Sequence, residues 1–168
     1  MKDDLYHQAL LDLARRAREQ PRLAAADVSV TVDNPLCGDR ISLDLAISGA
    51  RVEQVGHKTR GCILCQAAAA VIADRAPGTE MSVLGAIAGK IRGLLEADDA
   101  DLAALWPELG AFAPVRSYKS RHDCVILPFS ALADALARLD DGRQRGQEMS
   151  EGNRDDSQGA LRTYSKNR

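Results

Sequence analysis

Apolar residues recur at helical spacing from the start of the chain. Leu5, Ala9, Leu10, Leu13 and Ala17 predict an amphipathic helix over residues 3–19, which Pro21 ends. The period then changes. Val28, Val30 and Val32 alternate with Ser29, Thr31 and Asp33, the mark of a half-buried strand. After a break at Asn34-Pro35, Ile41, Leu43, Leu45 and Ile47 alternate in the same way, and a third strand is expected over residues 51–58. Together they predict an antiparallel three-stranded meander.

Helical patterns return at Cys62. The run from Ala67 to Ala73 is strong helix material and stops near Pro77-Gly78. Val83, Ile87, Ile91 and Leu95 define a second helix over residues 81–95, and Asp101 is placed to cap a short one holding Leu102, Leu105 and Trp106. Residues 109–123 read as a basic loop with Arg116, Lys119 and Arg121. A last apolar helix is expected over residues 124–139, with Pro128 in or just after its first turn. Beyond Asp141 apolar periodicity is lost, and a mostly disordered tail over residues 141–168 is expected after a folded domain over residues 1–140. The predicted class is α+β, a three-stranded antiparallel sheet against a cluster of about five helices.

Composition narrows the function classes. The 168 residues suffice for a real core. A net charge of −2 and an aromatic content of 4% argue against a basic stripe or stacking platform for nucleic acid. The charged N-terminus has no signal-peptide stretch, and no run reaches the ~18 apolar residues of a membrane span. A cytoplasmic chain is expected, in which thiols stay reduced and clustered cysteines mean metal or catalysis rather than disulfides.

Four ligand-type residues interrupt these segments: Cys37, Asp39, Cys62 and Cys124. Thiolates and a carboxylate suit zinc or iron, and four would complete a tetrahedral site. Cys37-Gly38-Asp39 places two donors in one turn. Cys62 and Cys124 each open a helix, where the helix dipole lowers a thiol's pKa. The bland alternative is three unrelated half-buried thiols. Cys65 completes a Cys-x-x-Cys spacing but stands one turn into an apolar helix, so core packing is expected of it. His122 in a basic loop reads as solvated, His57 as packed, His7 as surface, and Trp106 and Phe112 as buried.

The motifs Asn34-Pro35-Leu36-Cys37-Gly38-Asp39-Arg40, Gly61-Cys62 before an alanine-rich helix, and Arg121-x-x-Cys124 before an apolar helix resemble the U-type iron–sulfur assembly family, which comprises IscU, the NifU N-terminal domain and SufU. The long stretch between Cys62 and Cys124, and Asp123 where IscU proteins carry a histidine, make the SufU type the nearer match. His57-Lys58-Thr59-Arg60-Gly61-Cys62 is closer to the IscU form. The resemblance implies a zinc-dependent sulfurtransferase with Cys37, Asp39, Cys62 and Cys124 on one zinc ion. It further implies that Cys37 accepts persulfide sulfur from a SufS-type cysteine desulfurase, that Arg121 assists as a cation, and that downstream iron–sulfur scaffold proteins receive the product. Two alternatives stay open: a scaffold that assembles a [2Fe–2S] cluster on the same ligands, and a non-catalytic zinc-stabilised interaction module.

Overall fold

The computed structural model describes residues 7–97 and 102–162. The chain divides into two compact units, residues 1–136 and 137–168. In the first unit α1 (Gln8–Glu19) precedes β1 (Val28–Asp33), β2 (Arg40–Ser48) and β3 (Arg51–Arg60), then α2 (Ile63–Arg75) and α3 (Met81–Glu96). Two 3₁₀ turns, Leu102–Ala104 and Lys119–Arg121, flank a longer 3₁₀ stretch, Pro107–Ser117, and α4 begins at His122. The expected start of the first helix at residue 3 and the capping role of Asp101 lie outside the described residues.

The strands form one antiparallel sheet in the order β1-β2-β3. The register sets Val30 opposite Leu43 and Leu43 opposite His57, so the apolar sets of neighbouring strands share one face. Val30, Ile41, Leu43, Leu45 and Val55 are buried there. A bulge between Ala46 and Ile47 precedes the turn at Gly49. Against this face lies α2, whose Leu64, Cys65 and Ala67–Ile72 are all buried. A helix apolar all round belongs in an interior, and its alanines let α1 and the sheet approach closely. α1 contributes Leu10, Leu13, Ala14 and Ala17. Phe112 and Phe129 are fully buried, and Trp106 meets Phe129 with ring centroids 6.4 Å apart.

The connector from α1 to β1 crosses β3 at Gly56, where a Cβ would stand 2.6 Å from the Leu23 nitrogen. It delivers Arg22 to the buried Asp44, which also accepts from Ser29 Oγ at 2.6 Å and the Leu23 N–H at 3.1 Å. Burial alone would raise the Asp44 pKa, but these donors outweigh it and hold the carboxyl below its usual range.

Two expectations need correction. Residues 109–121 are not a loop. Leu109, Phe112 and Val115 are buried three residues apart, the period of a 3₁₀ helix, which a search at helical spacing passes over. Past Asp141 a disordered tail was the expectation, yet helix continues through Arg162. Arg143, Gln144, Arg145, Gln147, Glu148 and Met149 are strong helix formers, and residues 141–150 are all exposed, so this stretch is helical by propensity without an apolar face.

Candidate metal centre

The β1–β2 turn is built locally. The Asn34 side chain accepts from the Leu36 N–H at 3.0 Å, and the Asn34 carbonyl accepts from the Gly38 N–H at 2.8 Å. Gly38 takes φ +74°, a left-handed conformation that a side chain disfavours. The Asn34 N–H bonds the Asp39 carbonyl at 2.8 Å and closes the turn. This leaves Cys37 exposed and turns Asp39 inward, where it is 5% exposed.

The end of β3 meets that carboxylate. Cys62 caps α2 in an extended conformation, and its N–H donates to Asp39 Oδ1 at 3.2 Å. Gln66, one turn on, donates from Nε2 to the Gly61 carbonyl at 2.8 Å and accepts from Arg18 Nε at 2.9 Å. Cys124 arrives from α4, in its first turn, and is 2% exposed. Pro128, inside the same helix, has no N–H to offer the Cys124 carbonyl, which loosens this turn.

Ligand atoms of Cys37, Asp39 and Cys124 lie within 4.8 Å of one another. Cys62 is outside that trio, and its charge is among the neighbours that push the Cys124 thiol up. Asp39 Oδ2 is buried and has no hydrogen-bond partner among the described residues. A carboxylate oxygen taken out of water without a donor is costly, and a cation would answer it. Tetrahedral thiolate and carboxylate ligands stand roughly 4 Å apart, close to the observed spread, so the donor set fits a metal ion.

The expected lowering of both thiols at helix starts fails for Cys124. Its burial, with the charges of Cys62, Asp39 and Cys37 beside it, pushes the thiol up. Cys65 is fully buried and raised for the same first reason, as a core thiol would be.

The histidines separate from the site. His122 is buried rather than solvated, because Nε2 donates to the Val115 and Arg116 carbonyls at 3.1 and 3.2 Å. It ties α4 to the preceding 3₁₀ stretch, a role invisible while that stretch was read as a loop. His7, expected at the surface, is half-buried with Nε2 2.7 Å from the Ala111 carbonyl oxygen. His57 is packed as expected, 1% exposed, with burial lowering its pKa to about 4. Asp123 turns to Arg92 at 3.3 Å. Arg121 is exposed on the 3₁₀ turn that leads into α4. Gln66 escaped sequence reasoning as part of the site, since it is not a ligand type, and Gly61 entered only as part of the Gly61-Cys62 motif.

Residues 5–99 match the family described as NifU-like N terminal domain, and the chain belongs to that family. It is 25% identical over 140 residues to the zinc-dependent sulfurtransferase SufU of Bacillus subtilis, covering 83% of this chain and 95% of the relative. It is 24% identical over 135 residues to the iron–sulfur cluster assembly scaffold protein IscU of Thermotoga maritima, covering 80% and 94%. Among solved structures, a NifU-like protein (N-terminal) from Brucella abortus superposes with a TM-score of 0.76 at 28% identity, covering 83% of this chain and 97% of that one. A putative assembly scaffold for the SUF system from Fervidobacterium islandicum gives 0.72 at 22% identity, covering 79% and 96%, and shows the shared fold. Among the described residues no helix is long and apolar enough to cross a membrane.

Proposed function

We propose, with membership of the NifU-like N-terminal domain family as the premise, that this chain is a zinc-dependent sulfurtransferase of iron–sulfur cluster biogenesis. Its partner in this reading is a SufS-type cysteine desulfurase, and iron–sulfur scaffold proteins act downstream. The observation that carries the reading is the approach of Cys37, Asp39 and Cys124 within 4.8 Å around a carboxylate oxygen that lacks a donor. Cys62, beside Cys124, is the fourth ligand. Zinc, when bound, would hold the thiolates deprotonated and masked without redox chemistry of its own.

Cys37 is the sulfur acceptor. It is exposed in a turn, whereas Cys62 caps α2 and Cys124 is buried in α4, so Cys37 alone can swing out without unwinding a helix. Its thiolate attacks the outer sulfur of a persulfide on the partner's cysteine. A sulfur–sulfur bond forms at Cys37, the partner's sulfur–sulfur bond breaks, and the partner's cysteine leaves as thiolate, with charge and electrons conserved. Arg121 supplies a cation for the anionic sulfur or for an acidic group of the partner. Leu36, 87% exposed beside Cys37, offers an apolar anchor for docking.

The same donors suit a [2Fe–2S] scaffold, a reading supported by the relatives named as scaffolds. Zinc is favoured because His122 is turned to backbone carbonyls and Asp123 to Arg92, which leaves a set with one carboxylate and no histidine. Protein purified without oxygen decides the metal: one zinc and no colour support the relay, and a brown chromophore overturns it. Alanine at Cys37 should abolish stimulation of the desulfurase, while alanine at Cys65 should not; retained stimulation would favour the interaction module. After reaction with desulfurase and cysteine, mass spectrometry should map one added sulfur to Cys37.

A further inference from the structure

We propose that Arg40, Lys58 and Arg60, on the face of the sheet turned away from α2, form a docking patch for an acidic surface of the sulfur donor. The inference rests on the sulfur-transfer reading and names the surface through which that partner is recognised. Alternation fixes where these side chains point. Ile41, Leu43 and Val55 are buried on the face that α2 covers, and His57 joins them there. Arg40, Lys58 and Arg60 lie one residue out of step with that set, and all three are exposed. The register places Arg40 directly opposite Arg60, and Ser42 opposite Lys58. The three cations therefore occupy two neighbouring rungs of one face, about 7 Å apart along the strands.

Like charges directly opposite one another weaken a sheet, so folding gives no reason for this arrangement. Arg40 meets Asp33 at 3.6 Å, but both side chains are more than half exposed and the pair is weak. Lys58 and Arg60 make no ion pair among the described residues. The other carboxylates nearby are occupied or point elsewhere. Asp44, on the next rung, is buried and bound by Arg22. Asp39 is turned inward, and Glu19 and Asp74 line a cavity with His57, which belongs to the opposite face. The patch is thus positive in a chain whose net charge is −2.

Its place suits a partner of the thiol. Arg40 follows Asp39 and Arg60 precedes Gly61-Cys62, so the patch borders the metal centre at the end of the sheet where Cys37 and Leu36 are exposed. Two rungs match a few carboxylates of a folded partner. Nucleic acid asks for a longer basic stripe, and the net negative chain repels it. Exposed cations of this kind speed encounter with an acidic surface and fix its orientation.

The experiment is stopped-flow association of the zinc-loaded full chain with the SufS-type cysteine desulfurase of the same cell, over a range of ionic strength. The double variant Lys58→Gln, Arg60→Gln removes two patch charges. A control, Arg15→Gln, Lys90→Gln, removes as many from exposed positions on α1 and α3. At low ionic strength the patch variant should associate about fivefold more slowly or worse, with a flatter salt dependence, and the control should change by less than about twofold. Zinc content should match the wild type in both. If the double variant loses zinc, the single Lys58→Gln, four residues from Cys62, carries the same comparison. Equal slowing in patch variant and control would show an effect of net charge alone, and no slowing in either would place the patch outside the interface. Each result overturns the patch and leaves the sulfur-transfer reading standing. A wild type that neither binds the desulfurase nor accepts its sulfur overturns both.

Discussion

Gly61 and Asp39 fit so closely that a Cβ on Gly61 would stand 2.8 Å from the Asp39 carboxyl carbon. The contact explains the glycine before Cys62: nothing larger lets the carboxylate reach the Cys62 N–H. Gly61→Ala should displace Asp39 and cost about 1–3 kcal/mol, the usual range for overpacking. Zinc affinity, read by competition with a chromophoric chelator, should fall at least about tenfold, since misplacing one ligand costs at least as much as losing its support. Unchanged affinity would show that Asp39 is not a ligand.

Asp39 itself should link metal to stability. Zinc should raise the melting temperature of the wild type, because only the folded chain assembles the trio. In Asp39→Ala the metal-dependent rise should shrink sharply. The metal-free form should melt close to the metal-free wild type, since the substitution removes a buried oxygen that has no donor but also the acceptor of the Cys62 N–H. Calorimetry with and without zinc checks both statements.

His57 predicts a pH dependence. Burial holds its folded pKa at about 4, below the ordinary 6.5, so the unfolded chain binds the extra proton between those values. Its contribution is therefore fully present above pH 6.5 and is lost as pH falls towards 4. Two and a half pKa units correspond to at most about 3 kcal/mol. Metal-free His57→Phe should lack this decline, and parallel curves for the two proteins in urea titrations would refute the assignment.

Gly85, Gly89 and Gly93 lie four residues apart on α3, exposed, with nothing among the described residues within 4 Å of a Cβ added at any of them. Each costs the helix about 0.5–1 kcal/mol relative to alanine. Single alanine variants should each be more stable by that amount, and the triple variant by roughly their sum. A loss of stability on chemical denaturation would reveal a neighbour that this structure does not place there.

Removal of residues 141–168 should leave folding and zinc binding of the first unit intact. No described side chain from 141 to 150 is buried. A melting temperature lower by more than about 4 °C, roughly a 1 kcal/mol change for a domain of this size, would assign the segment a structural role.

Much of the fold was legible because alternation and helical spacing are local properties of the chain. Val28, Val30 and Val32, then Ile41, Leu43 and Leu45, declare two half-buried strands wherever they occur, and Ala67–Ile72 declares a buried helix. The ligand types were legible too, since thiols and a carboxylate in polar turns stand out from apolar runs. What the sequence could not contain is direction. Leu109, Phe112 and Val115 look like loop residues until the core selects a three-residue period, and His122 looks solvated until that 3₁₀ stretch turns two carbonyls towards it. The raised Cys124 thiol follows first from burial, which distant elements impose and the local sequence does not show. The sequence by itself determined the elements and the donor chemistry, because both are written residue by residue. Only the tertiary structure decided that Cys37, Asp39 and Cys124 converge and that Asp39 keeps one oxygen free, because both depend on how distant segments pack.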